Sequence, residues 1–226
     1  MRRKYNIFKK LGIGCLGIVV VVVLGIVGAI FGNNNNKNSN SSSSTKVEQN
    51  IDKKAISDEI IQILSEIPQE QDEVEHQINY KSWGTDKIPA QTALYWSVSL
   101  KDDNLSKIKI QVVHFTSDTE WVFWDNMIFS NGDNKWEKKL NTFAGQSGDG
   151  KSTQIVMGGK YETWQGPLTD VREGIEVLTN GGGKPILRLS GKYKDDVYPS
   201  AEDIQRMKTA LRLQTLLEQI NYKLVR

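Results

Sequence analysis

Residues 92–114 read TALYWSVSLKDDNLSKIKIQVVH, and this stretch decides the fold. Thr92–Lys101 is rich in aromatic and β-branched residues, the composition of a strand. Asp102-Asp103-Asn104 supplies turn chemistry, because short polar side chains bond their own backbone and tolerate a left-handed conformation. From Lys107 to His114 the period is two, with Ile108, Ile110 and Val112 on one face and polar residues between them. Strand, turn and returning strand predict an antiparallel sheet.

Outward from that hairpin the strand signals continue to about residue 166. Glu120–Phe129 (EWVFWDNMIF) is apolar at both parities and predicts a central strand covered on each side, with Trp121 and Trp124 on opposite faces. Asn131-Gly132 predicts a tight hairpin of the type that needs φ > 0 at both central residues, returning through Asn134–Leu140. A Gly/Ser-rich loop covers 144–152, and Thr153–Trp164 resumes strand composition.

Helices bracket this region. Ile56, Ile60, Ile63, Leu64 and Ile67 form one apolar stripe that Pro68 ends. Val171, Ile175 and Leu178 predict a short helix capped by Thr169 or Asp170 and closed by Asn180-Gly181-Gly182-Gly183. Lys184–Gly191 reads as a strand, with Leu187 and Leu189 opposite Ile186, Arg188 and Ser190. Ser200 and Asp203 form a capping-box start for a helix carrying Ile204, Met207, Leu211, Leu216, Leu217 and Ile220. The fold class expected for residues 47–226 is α+β: a mostly antiparallel, sandwich-like sheet domain with an N-terminal and a C-terminal amphipathic helix.

Upstream of this body the chain changes character. Residues 11–32, LGIGCLGIVVVVVLGIVGAIFG, contain no charge and no proline. As a helix their 22 positions reach about 33 Å, enough for a hydrocarbon core of about 30 Å. A transmembrane helix and the lipid bilayer as partner follow from this. Arg2, Arg3, Lys4, Lys9 and Lys10 make residues 1–10 a basic tip, which holds the N-terminus in the cytoplasm and the body outside, at the cell membrane. A cleaved secretory signal is the rival reading, with Val27-Gly28-Ala29 as a cleavage point, although the apolar run exceeds the usual span of about 7–15 residues. Lipidation of Cys15 is disfavoured by the four residues that separate it from Lys10. Gly28 and Gly32 have the spacing that permits close helix pairing. Residues 33–46, NNNNKNSNSSSSTK, bury nothing and read as a disordered Asn/Ser linker.

Composition excludes several function classes. Subtracting the five cations of the tip from the chain's 29 leaves 24 basic against 27 acidic residues, so the body is mildly acidic and nucleic acid is not an expected partner. Cys15 is the single cysteine, so the body has neither a disulfide nor a thiolate metal cluster. His76 and His114 are the only histidines, without ligand spacing, and no metal or cofactor is expected. His114 reads as a strand-end residue near Ser117, Asp118 and Glu120, with no nucleophile elbow around Ser117. The carboxylate pairs Asp102/Asp103 and Asp195/Asp196 read as turn residues. Residues 145–152, GQSGDGKS, match the phosphate-loop pattern, whose chemistry needs a following helix with its first amides on the phosphate. The β-branched, glycine-broken continuation does not supply one, so nucleotide is not expected despite the match.

The six tryptophans, Trp83, Trp96, Trp121, Trp124, Trp136 and Trp164, all fall in the strand-rich part. Some must be core. Trp136 and Trp164, set in charged or Gly-rich sequence, are the candidates for exposure and for contact with a glycan or an envelope protein.

The layout of basic tip, single span, Asn/Ser tether and strand-rich body, closed by Pro185–Tyr193 and the capped helix at 200–221, resembles uncharacterised single-pass membrane-anchored proteins of low-GC Gram-positive bacteria. The resemblance implies location and architecture and brings no catalytic residue. The reading is an extracytoplasmic binding or sensing domain at the cell envelope, with an envelope hydrolase using Asp/Glu residues, or a structural subunit of a membrane complex, as rivals.

Overall fold

The alternation at 92–114 is realised as β3 (Ala93–Lys101) and β5 (Lys109–Thr116), paired antiparallel with Leu94 opposite Val112 and Trp96 opposite Ile110. The computed structural model describes residues 52–84, 92–117, 121–142, 146–156 and 159–226. Between the two strands Asp102 and Asp103 take φ of 48° and 61°, which closes a hairpin from β3 onto the two-residue strand β4 (Asn104–Leu105). That is the left-handed conformation short polar side chains tolerate best.

Around this pair the chain builds two antiparallel sheets. The first runs β1 (Gln69–Asp72), β2 (Gln77–Lys81), β3, β5, β9 (Gly159–Pro167) and β8 (Lys151–Val156), with β4 beside β3. The second runs β11 (Lys194–Val197), β10 (Pro185–Gly191), β6 (Trp124–Asn131) and β7 (Asn134–Lys139). Three helices complete an α+β domain: α1 (Lys53–Ser65), α2 (Arg172–Asn180) and α3 (Ala201–Gln219). Among the described residues no helix is long and apolar enough to cross a membrane. The expected span at 11–32 and linker at 33–46 lie outside the described residues, as do the tip and residues 47–51.

One apolar cluster joins both sheets and all three helices. Strand alternation turns Leu94, Trp96, Val98, Ile110, Val112 and Trp164 inward, where α3 adds Met207, Ala210, Leu213, Leu216 and Leu217. Each Leu, Ile, Val and Met among these contributes about 1.5–3 kcal/mol through its removal from water. The capping box starts α3 as expected. Asp203 N–H donates to Ser200 Oγ at 3.1 Å, and Ser200 N–H donates to the Asp203 carboxylate at 2.8 Å.

The apolar run at 120–129 is not one strand. Phe123 takes φ of 51°, so β6 begins only at Trp124, and Trp121 precedes the strand instead of opposing Trp124 across it. β6 is interior, between β10 and β7. Its residues alternate between buried and half-buried instead of being buried on both faces. The hairpin after it also differs. Asn131 pairs with Asn134, so the central residues are Gly132 and Asp133, and of these Gly132 carries the positive φ, 64°. Asn131 is buried and does something else: its amide donates to the Leu178 carbonyl and accepts from Gly183 N–H, both at 2.8 Å, which pins the end of α2 to the second sheet.

Candidate functional site: the cleft between the sheets

The stretch matching a phosphate loop turns its lysine inward. Gly148 and Lys151 exchange backbone hydrogen bonds at 3.0 and 2.8 Å, and Lys151 opens strand β8 where a phosphate loop would open a helix. Gly145 lies outside the described residues. Gly150, at φ of 80°, is demanded by its neighbours: a Cβ there would sit 2.2 Å from the Gln165 carbonyl oxygen. The Lys151 side chain is fully buried, 3.2 Å from a Glu162 carboxylate that is 1% exposed. Its ammonium also donates to the Trp124 carbonyl and lies 4.9 Å from the centre of the Trp124 ring. Burial pushes the Lys151 ammonium below its usual pKa, and the Glu162 charge opposes that shift. Glu162 Oε1 accepts the N–H groups of Val122 and Phe123 at 2.7 and 3.0 Å. The turn at Phe123 is therefore built onto this carboxylate. The motif is a buried structural ion pair by geometry.

On β5 the partner of Glu162 in register is His114, and here the two sheets meet. His114 is buried in the first sheet, yet its Nε2 lies 2.6 Å from Asp195 Oδ2 on β11 of the second. The side chains differ sharply in exposure, 4% for His114 and 50% for Asp195. His114 Nδ1 is buried, with no hydrogen-bond partner among the described residues. The pair lines a cleft of ≈ 660 Å³ whose wall includes Thr92, Phe115, Val122, Lys194, Asp196 and Tyr198. That is a volume typical of small-molecule sites.

The pleat of β11 sorts its charges. Asp195 and Val197 lie opposite Leu189 and Leu187 on the inward face, whereas Asp196 lies opposite Arg188 on the other face. Arg188 Nε and Nη2 bond the two Asp196 oxygens at 2.6 and 2.8 Å. The bond to Arg188 holds the Asp196 carboxyl below its usual range. Asp195 and Asp196 are thus strand residues, not turn residues as read from the sequence. The four-residue strand that carries them has Val197 as its only aliphatic residue, so no hydrophobic period marked it.

Tryptophan exposure is the second correction. Trp164 is 1% exposed, with its indole N–H donating to the Asp149 carbonyl at 2.9 Å. The glycines near it in sequence reflect close packing, not openness: a Cβ on Gly166 would fall 2.3 Å from the Trp164 ring, and one on Gly150 2.9 Å from its nitrogen. Trp136 is half-buried, edge-on to Phe129 at 5.5 Å between ring centres and seated over Gly174. Neither offers an open indole platform. His114 sits two residues before the end of its strand, close to the strand-end place expected. Its carboxylate partner comes from 81 residues away, while Asp118 and Glu120 lie outside the described residues. The sequence signals that mark Asp195 are Gly191 ending one strand and the Arg188/Asp196 complementarity across the next turn.

The cleft's hydroxyls bear on its chemistry. Thr92 Oγ1 donates to the Phe115 carbonyl at 3.1 Å and accepts Phe115 N–H at 2.8 Å, which commits it to the backbone. Among the described residues no group of three or more His, Cys, Asp or Glu side chains is placed to hold a metal. Comparison with known proteins finds no matching family model, curated protein or solved structure.

Proposed function

We propose that this chain is a membrane-anchored binding or sensing domain that works outside the cell, held to the membrane by residues 11–32 and lifted from it by the 33–46 linker. The basic tip and apolar span support the location, as does the resemblance to anchored proteins of low-GC Gram-positive bacteria. The observation that carries the binding role is the cleft between β5 and β11, where a buried imidazole meets a half-exposed carboxylate.

Binding is favoured over turnover by the order of the groups. In a Ser/His/Asp arrangement the imidazole faces the substrate and the carboxylate stands behind it. Here the carboxylate faces solvent and the imidazole stands behind, while the Thr92 hydroxyl is held by the backbone. Such an order of groups presents a fixed carboxylate to a ligand and leaves the Thr92 hydroxyl engaged with the backbone.

The test uses the two histidines as internal probes. Titrating the full chain with a soluble cell-envelope extract should shift the imidazole signals of His114 while leaving exposed His76 unchanged. An unmoved His114, or chemical conversion of an extract component by the purified chain, contradicts the reading.

A further inference from the structure

We infer that a second site lies on the outer face of the first sheet and takes an uncharged glycan through its hydroxyl groups. Residue parity separates this face from the cleft, because Gln111 and His114 stand on opposite sides of β5. The helices pack elsewhere: α3 lies against β3 on the inner side, and α2 lies on β6 of the second sheet. The outer face keeps a groove of ≈ 440 Å³.

Strand register assembles the groove from β9, β5, β3 and β2. Gln165 pairs with Gln111, which pairs in turn with Tyr95. One step along, Lys109 pairs with Ser97 and Ser97 with Lys81, and beyond them Ser99 pairs with Asn79. Trp83, just past the end of β2, forms an aromatic wall held edge-on to Tyr95, with 6.0 Å between ring centres.

The state of these polar groups points to hydroxyls. Asn79 Oδ1 accepts from Ser99 Oγ at 2.6 Å and from Gln77 Nε2 at 3.3 Å, which fixes the amide and leaves the Asn79 Nδ2 donors unpaired among the described residues. Gln111 and Gln165 have no side-chain hydrogen bond among the described residues. Gln111 is half-buried and Gln165 exposed, so solvent reaches both amides. An amide carries donors and an acceptor side by side, as a sugar hydroxyl does, and it does not titrate. An indole adds wide apolar contact at small entropic cost. Charge narrows the class further. No Asp or Glu is among the described residues that line the groove, so a cation finds no counter-charge there. Lys81 is paired with Glu70, which leaves Lys109 as a single exposed ammonium, a weak and salt-screened anchor for an anion.

The full chain, in a detergent without a sugar headgroup, is titrated with maltotetraose, cellotetraose and chitotetraose, and separately with tetragalacturonate and an uncharged tetrapeptide. The side-chain amide signals of Asn79, Gln111 and Gln165 report binding. Saturable shifts with at least one neutral sugar, equal at low and high salt, are expected. Trp83→Ala should weaken that binding about tenfold or more. Gln111→Ala removes no side-chain hydrogen bond of the folded chain, so it should leave the melting temperature unchanged and weaken binding about two- to tenfold. Lys109→Ala should change affinity by less than about twofold. Response to none of the neutral sugars, to the uronate alone or to the peptide alone overturns the inference, as does full affinity in Q111A with loss in K109A. His114 reports on the cleft and these amides on the outer face, so either site can fail without the other.

Discussion

Replacing Lys151 with methionine tests whether the phosphate-loop match is a structural ion pair. Methionine keeps the length and apolar stem of the side chain but leaves Glu162, 1% exposed, without its cation. Glu162 still accepts two N–H groups, from Val122 and Phe123, so its carboxyl is held in place against a desolvated wall. Breaking a buried pair from one side costs about 3–5 kcal/mol. With a urea slope of about 2 kcal/mol per molar, that moves the unfolding midpoint down by about 2 M. Glu162→Gln should cost a similar amount, because Lys151 then keeps only a carbonyl and an aromatic face. The double variant K151M/E162Q should cost clearly less than the two singles together, the signature of direct coupling. Tryptophan fluorescence reads the transition, since Trp124 touches the pair. Midpoint shifts under about 0.5 M, or additive singles, would refute the buried pair. Stabilisation of the unsubstituted chain by a nucleoside triphosphate that K151M abolishes would return the motif to phosphate binding.

Two further perturbations follow from the same geometry. Gly166→Ala places a Cβ 2.3 Å from the Trp164 ring and should cost about 1–3 kcal/mol by overpacking, read as a lowered melting temperature; an unchanged value means Trp164 is not seated as described. Acid should loosen the domain through Asp196 and Glu218. Hydrogen bonds from Arg188 and Gln214, respectively, hold their carboxyls below the ordinary values. A depressed folded pKa contributes stability that is present above the unfolded value and is lost as the pH falls through the folded one. Unfolding measured downward from pH 5 should therefore steepen below about pH 4, and D196N/E218Q should flatten that limb; an unchanged limb contradicts it.

The parts of the fold legible in the sequence are those whose side chains carry a period. Ile56 to Ile67 and Ile204 to Leu217 mark two helices because burial of one stripe repeats every three or four residues, and Ser200 with Asp203 marks where the second begins. Ile108, Ile110 and Val112 mark β5 because one face is buried. The candidate site was hidden for the opposite reason. β11 is held by backbone pairing and by an ion pair, and its charged residues show no hydrophobic alternation. Asp195 acquires its role only when the chain folds it against His114, 81 positions earlier. The burial of Trp164 is not legible because glycine beside tryptophan signals an open loop by composition, yet here Gly150 and Gly166 make room for a buried ring. The strand-forming residues after Lys151 make the strand β8 legible, but the side chain's destination beside Glu162 is a tertiary fact.

We propose that the cleft between β5 and β11 lies outside the cell, open to the envelope. Cysteine labelling tests this most directly, because the chain's one native cysteine, Cys15, can be replaced. In the variant C15S/K194C, a membrane-impermeant maleimide added to intact cells should label the cleft wall as fully as it does after lysis. Labelling that appears only once the membrane is opened would put the cleft on the cytoplasmic side and contradict the account.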